Sequence, residues 1–216
     1  MINILMYISS GLILSGFIGY LLLILINNKR ITNVDGFNIT KDILNEYDSI
    51  NIIENKSFFT VYNLKRKVIK IASKCYYGKS VSDLSIPLME AGILVVDNGK
   101  NKFILFMKKI LSNLKLLYIL PIIAVIFNGI DLGTIDAKIG IIFVGLLCVI
   151  SYLLINVKTT VNIWIYGKMN KNKEITKKEK SNINNFLNKV LLCDKLIFIG
   201  ELVMIIRFIA IILYFN

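Results

Sequence analysis

Residues 3–26 read NILMYISSGLILSGFIGYLLLILI, 24 residues without a charged side chain. At about 1.5 Å per residue, a helix of that length crosses the roughly 30 Å hydrocarbon core of a bilayer. The positive charges Lys29 and Arg30 follow the apolar run instead of preceding it, and no A-x-A cleavage site appears. The segment is therefore expected to be a retained first transmembrane helix, residues 1–28, and not a signal peptide. Three further stretches carry the same signature. Residues 116–130 are uncharged and contain Pro121; residues 139–157 are uncharged; residues 196–216 are interrupted only by Glu201 and Arg207. The pattern predicts a membrane α-helical protein with about four transmembrane helices.

Lys and Arg placement orients these crossings. Segment 29–115 carries 15 basic residues and segment 158–195 carries 9, whereas the link 131–138 carries one, beside Asp131 and Asp136. Both basic segments are expected in the cytoplasm. That puts the N-terminus, the link and the C-terminus outside. A central Arg costs on the order of 2.5–3.5 kcal/mol in a membrane helix. Arg207 is therefore expected to face protein, as is Glu201, in structural roles; Glu201 lies six residues earlier, on a different side of the helix.

Composition agrees and excludes much else. The 216 residues are 56% hydrophobic and 19% charged, against about 45–50% and 25% in soluble domains, with a net charge of +12. A soluble nucleic-acid binder carries its positive charge on a polar surface, so no nucleic-acid partner is expected. The bilayer and anionic lipid headgroups are the expected partners of the basic stretch 65–79. The chain has no histidine, which removes Ser-His-Asp and Cys-His nucleophiles and imidazole metal ligands. Cys75, Cys148 and Cys193 show no paired spacing and read as free thiols. Neither a G-x-G-x-x-G nor a Walker A loop occurs.

Segment 29–115 is long enough to fold. Asp35 or Asn38 can open a helix through Glu46; residues 49–53 read as a strand. Residues 58–62 and 67–72 flank Asn63-Leu64-Lys65-Arg66, a plausible hairpin turn. Residues 80–96 are apolar at helical spacing, opened by Ser80 or Ser82 and stopped at Asp97-Asn98-Gly99. Pro87 predicts a later start at Ser85 or a bend. Residues 103–114 form an amphipathic stretch fitted to a membrane surface. In the second basic segment, Thr176-x-x-Glu179 is a capping box opening a helix that runs into the last span.

This order carries a resemblance. Tyr76-Tyr77-Gly78-Lys79-Ser80-Val81, then Met89-Glu90-Ala91-Gly92-Ile93 one helix later, then two spans, then Thr160-Val161-Asn162-Ile163-Trp164-Ile165-Tyr166 resembles the layout of the bacterial neutral zinc membrane metallopeptidases. Those proteins show Y-Y-G-x-S-V, a helix with H-E-x-G-H, and a later stretch with the third ligand. The resemblance runs through most of the chain in order and spacing. It implies a small α+β, zincin-like cytoplasmic domain and a bacterial inner membrane.

What it implies about chemistry is negative. The ligand positions fall on Met89, Ile93 and Asn162, and the general-base position on Glu90. Zinc sites use thiolate, imidazole and carboxylate. Without a metal to activate water, Glu90 has nothing to deprotonate. The expectation is a catalytically inactive pseudopeptidase that needs no cofactor and binds or scaffolds another membrane protein or a peptide segment. Two alternatives stand beside it. An active peptidase with rewired ligands such as Asp83, Cys75 or Cys193 would cluster these around Glu90. A small transport or channel subunit would line a polar cavity with Glu201 and Arg207.

Overall fold

The computed structural model of the chain describes residues 2–29, 32–45, 47, 50–56, 60–63, 67–97 and 134–215. The expected span 116–130 and the amphipathic stretch 103–114 lie outside the described residues. The described chain is mostly helical: α1 (Ile2–Asn27), α2 (Gly36–Leu44), β1 (Asn51–Asn55), β2 (Val61–Asn63), β3 (Val68–Ala72), α3 (Ser73–Tyr77), α4 (Val81–Asp97), α5 (Thr134–Lys171) and α6 (Lys177–Phe215). Three of these helices, α1, α5 and α6, are long and apolar enough to cross a membrane.

The chain divides into two compact units. One comprises Met1–Gly19, Asn101–Ile155 and Leu192–Asn216; the other comprises Tyr20–Lys100 and Asn156–Leu191. In the first, Val144 of α5 packs with Phe208 and Ile211 of α6. The Ser9 hydroxyl of α1 donates to the Gly200 carbonyl of α6 at 2.9 Å, which gives a polar side chain in an apolar bundle its partner.

The second unit holds the sheet and the motif helix. The strand order is β1-β3-β2, with β2 antiparallel to β3 (Val61↔Lys70, Tyr62↔Ile69, Asn63↔Val68). The hairpin expected from the sequence is thus present, with strands slightly shifted. Strand β1 pairs with β3 in parallel, Asn51↔Val68 through Asn55↔Ala72. In β3 the side chains alternate: Ile69 and Ile71 are buried while Lys70 is exposed. The buried face joins Leu44 of α2, Cys75 of α3, and Ala91 and Leu94 of α4 in one core, with Trp164 of α5 packed against it.

Helix α2 starts at Gly36, capped by the Asp35 carboxylate, which accepts from the Asn38 N–H at 2.8 Å. It ends at Leu44, two residues short of the expected Glu46. Gly36 is required by close approach: a Cβ there would sit 2.0 Å from the Cys75 carbonyl oxygen and 3.0 Å from that of Asp83. The Asp83 carbonyl is the one that Pro87, lacking an N–H, cannot satisfy within α4. Helix α4 nevertheless runs unbroken from Val81 to Asp97 through Pro87, not from Ser85. Its tertiary packing decides this: Val81, Leu84, Leu88 and Ala91 are all fully buried along one face.

Helix α6 opens on the capping box. The Glu179 N–H donates to Thr176 Oγ1 at 3.3 Å, and Glu179 Oε2 accepts from the Thr176 N–H at 2.8 Å. Its other oxygen accepts from the Asn33 N–H at 2.8 Å, which ties the linker before α2 to the foot of α6.

Candidate functional site

The stretch Tyr76-Tyr77-Gly78-Lys79-Ser80-Val81 forms the end of α3 and the start of α4. Tyr76 stacks on Phe37 of α2 at 4.7 Å between ring centres. The Gly36 N–H donates to the Gly78 carbonyl at 3.1 Å, and the Thr32 N–H to the Lys79 carbonyl at 2.6 Å. Ser80 caps α4: its Oγ accepts from the Asp83 N–H at 3.1 Å and donates to Asp83 Oδ2 at 2.5 Å. The Asn28 Oδ1, just past the end of α1, accepts from the Ser82 hydroxyl at 3.2 Å and lies 3.3 Å from Ser80 Oγ. A buried set of polar groups thereby anchors the motif helix to the end of α1.

The motif positions follow along α4. Met89 and Ile93 are buried. Glu90 is half-buried and engaged with neighbouring groups. Gly92 fixes what lies opposite. A Cβ built on it would meet Val161 Cγ1 at 2.5 Å and Trp164 Cε3 at 3.3 Å, so the Val161 and Trp164 side chains of α5 pack directly on the α4 backbone at this point. Val161 and Trp164 bracket Asn162, which is 7% exposed. The stretch 160–166 of α5 therefore lies against α4 at Gly92.

The donor set does not fit zinc. Met89 offers a thioether, Ile93 no lone pair, and Asn162 a neutral amide, where the metal needs thiolate, imidazole or carboxylate. Neither Asn162 Nδ2 nor Oδ1 has a hydrogen-bond partner among the described residues. An unpaired buried amide costs about 1–3 kcal/mol, so Asn162 holds unsatisfied binding capacity beside Gly92.

The candidate replacement ligands are scattered. Cys75 Sγ lies 4.0 Å from Asp83 Oδ1, and the Asp83 side chain is already engaged by Ser80. Burial, and then the Asp83 carboxylate, push the Cys75 thiol up to about 11, so it stays protonated near neutral pH. Cys193 belongs to the other unit, where its sulfur lies 3.1 Å from a Cβ built on Gly19. Among the described residues, no three His, Cys, Asp or Glu side chains gather into a group that could hold a metal.

In the bundle unit, Glu201 is 1% exposed and accepts a hydrogen bond from the Ser151 hydroxyl of α5 at 2.9 Å. Arg207 is buried too, and its Nε has no hydrogen-bond partner among the described residues. Both side chains face protein, as their insertion cost predicts. Sequence reasoning singled out Glu201 and missed Ser151. The available signal was a lone Ser within the uncharged run 139–157, because a hydroxyl in an apolar helix needs an acceptor.

No protein-family model, curated protein or solved structure matches this chain.

Proposed function

We propose that the chain is a catalytically inactive membrane relative of the zinc metallopeptidases that holds a peptide segment without cutting it. It crosses the inner membrane of a bacterium four times, residues 116–130 supplying the fourth crossing. The N- and C-termini face outside and the sheet-bearing unit faces the cytoplasm, where the Lys-rich segments meet anionic headgroups. Glu90 survives at the general-base position, with no metal to work on.

The observation that carries the binding role is the Asn162 amide. It is buried where the family places a metal ligand, and neither its donor nor its acceptor has a partner among the described residues. A primary amide pairs reciprocally with one residue of an extended peptide, its N–H₂ donating to that residue's C=O and its C=O accepting from that residue's N–H. The edge strand β2 belongs to the same unit and offers the pairing mode of an added strand.

Metal analysis tests the inactive half of this reading. The full chain, purified in detergent and incubated with micromolar zinc, is expected to retain far less than one ion per chain and to cleave no peptide. Stoichiometric zinc that chelation removes, with a peptidase signal that Glu90→Gln abolishes, would overturn it. Photo-crosslinking in cells from position 166, one turn along α5 from Asn162 and 48% exposed, tests the binding half. A discrete peptide adduct supports it, and reaction with lipid alone refutes it.

A further inference from the structure

We propose that the peptide held at Asn162 is an extended stretch of a second membrane-spanning protein, taken within a few residues of the point where that protein leaves the hydrocarbon. The inference rests on the peptide-holding reading and on α5 crossing a membrane. It adds which kind of chain supplies the peptide.

Depth carries it. Helix α5 runs without a break from Thr134 to Lys171. Its uncharged run 139–157 is 19 residues long, about 28 Å as a helix, which matches a hydrocarbon core of about 30 Å. Asn162 stands five residues past Val157, at most about 7.5 Å farther along the membrane normal. The headgroup layer on each side is about 5–8 Å thick. With the run 139–157 in the core, the Asn162 amide lies at headgroup depth and not in bulk water. Two neighbours agree with that placement. Trp164 and Tyr166, the latter 48% exposed, are of the residue types that collect at membrane interfaces. Helix α4 starts beside the end of α1, where the Ser82 hydroxyl donates to Asn28 Oδ1 at 3.2 Å and the apolar run of α1 gives way to Lys29 and Arg30.

Affinity points the same way. Pairing of the amide with one peptide residue supplies two hydrogen bonds, together roughly a 5–150-fold gain. A factor of that size leaves a freely diffusing peptide bound only at millimolar concentrations or above. A stretch next to a membrane span is already confined to the headgroup layer, which raises its effective concentration at Asn162 without any new contact. Ile163, 69% exposed, leaves the outer side of α5 apolar at this level, which suits a chain that arrives through lipid.

The adduct formed in cells from a photoreactive residue at position 166 of the full chain tests this, once mass spectrometry has located the crosslinked residue of the partner. An extended chain advances about 3.3 Å per residue, so two or three residues cover the depth of Asn162 and about six cover an oblique path. The adduct is expected within about six residues of an apolar run long enough to span a membrane. Asn162→Leu is expected to lower its yield at least about five-fold, the lower end of the gain from the amide pair. An adduct on a soluble protein, or on a loop farther from any span, would overturn this inference and leave the peptide-holding reading standing. Adducts with lipid alone would remove that reading and this inference together. An adduct beside a span whose yield Asn162→Leu leaves unchanged would reflect proximity only and refute the site.

Discussion

Replacing Gly92 by Ala places a methyl group 2.5 Å from Val161 Cγ1 and 3.3 Å from the Trp164 ring, where carbon contacts normally begin near 3.5 Å. Val161 is fully buried and β-branched, so it has no free rotamer to move into. Helices α4 and α5 must part by about 1 Å, and overpacking of this kind costs about 1–3 kcal/mol. The Gly→Ala exchange itself returns up to about 1 kcal/mol of helix propensity. The net loss expected is about 1–2 kcal/mol, or a fall of roughly 2–8 °C in Tm at about 2–4 °C per kcal/mol. Trp164 is the only tryptophan in the chain, so intrinsic fluorescence during thermal unfolding in detergent reads this contact directly. Gly167→Ala on α5 is the control: a Cβ there meets nothing within 4 Å, so the variant should be neutral or slightly stabilised. Adding Val161→Ala to Gly92→Ala should recover part of the loss, the signature of a direct contact. If Gly92→Ala melts no lower than Gly167→Ala and leaves Trp164 emission unchanged, the motif helix does not touch the Asn162 segment. The proposed peptide-binding place at Asn162 would then go with it.

Ser80→Ala removes the cap of α4 and one donor to buried Asp83; a loss of about 1–2 kcal/mol is expected in the same melt, with Ser80→Thr close to wild type. Asn162→Leu should raise the stability of the isolated chain by about 1–3 kcal/mol by removing an unpaired amide, while abolishing any crosslinked peptide; a lower Tm would show that the amide is paired. Because burial and Asp83 raise the Cys75 pKa to about 11 from 9.0, its thiolate fraction at pH 8 is about a hundred-fold below that of an ordinary thiol. Iodoacetamide should modify it at least that much more slowly, with the rate still climbing above pH 10. The sign for stability follows from a folded pKa above the unfolded one: the contribution is intact below pH 9 and is lost as pH rises toward 11. A labelling profile that levels off near pH 9 would remove Cys75 from its buried place beside Asp83.

The sequence by itself determined what is local or additive. The apolar runs marked α1 and the apolar parts of α5 and α6, because a hydrocarbon core demands satisfied backbone and uncharged side chains over a fixed length. Thr176 and Glu179 wrote the start of α6, since a cap acts within three residues; two more helix starts were narrowed to Asp35 or Asn38 and to Ser80 or Ser82, and the hydrogen bonds of Asp35 and Ser80 decided them. The stretches flanking Asn63-Leu64-Lys65-Arg66 marked β2 and β3 as a hairpin. The chemistry of Met89, Ile93 and Asn162 needed no coordinates to fail as a zinc donor set.

Tertiary structure decided what depends on residues far apart in the chain. Strand β1 could have paired with either member of the hairpin; its parallel place beside β3 is fixed by the core that β3 shares with α4 and Leu44. Pro87 looked like a boundary, and burial of the face through Leu84 and Leu88 held the helix together across it. Helix α5 continues past the apolar run 139–157 to Lys171, with Val161, Ile165 and Met169 buried at four-residue spacing. That spacing was readable, but the surrounding lysines disguised it as solvent-facing chain. The lack of a partner for the Asn162 amide among the described residues and the choice of Glu201 as the acceptor for Ser151 had no local signature. Each is a relation between surfaces, and a sequence lists side chains without saying which of them will meet.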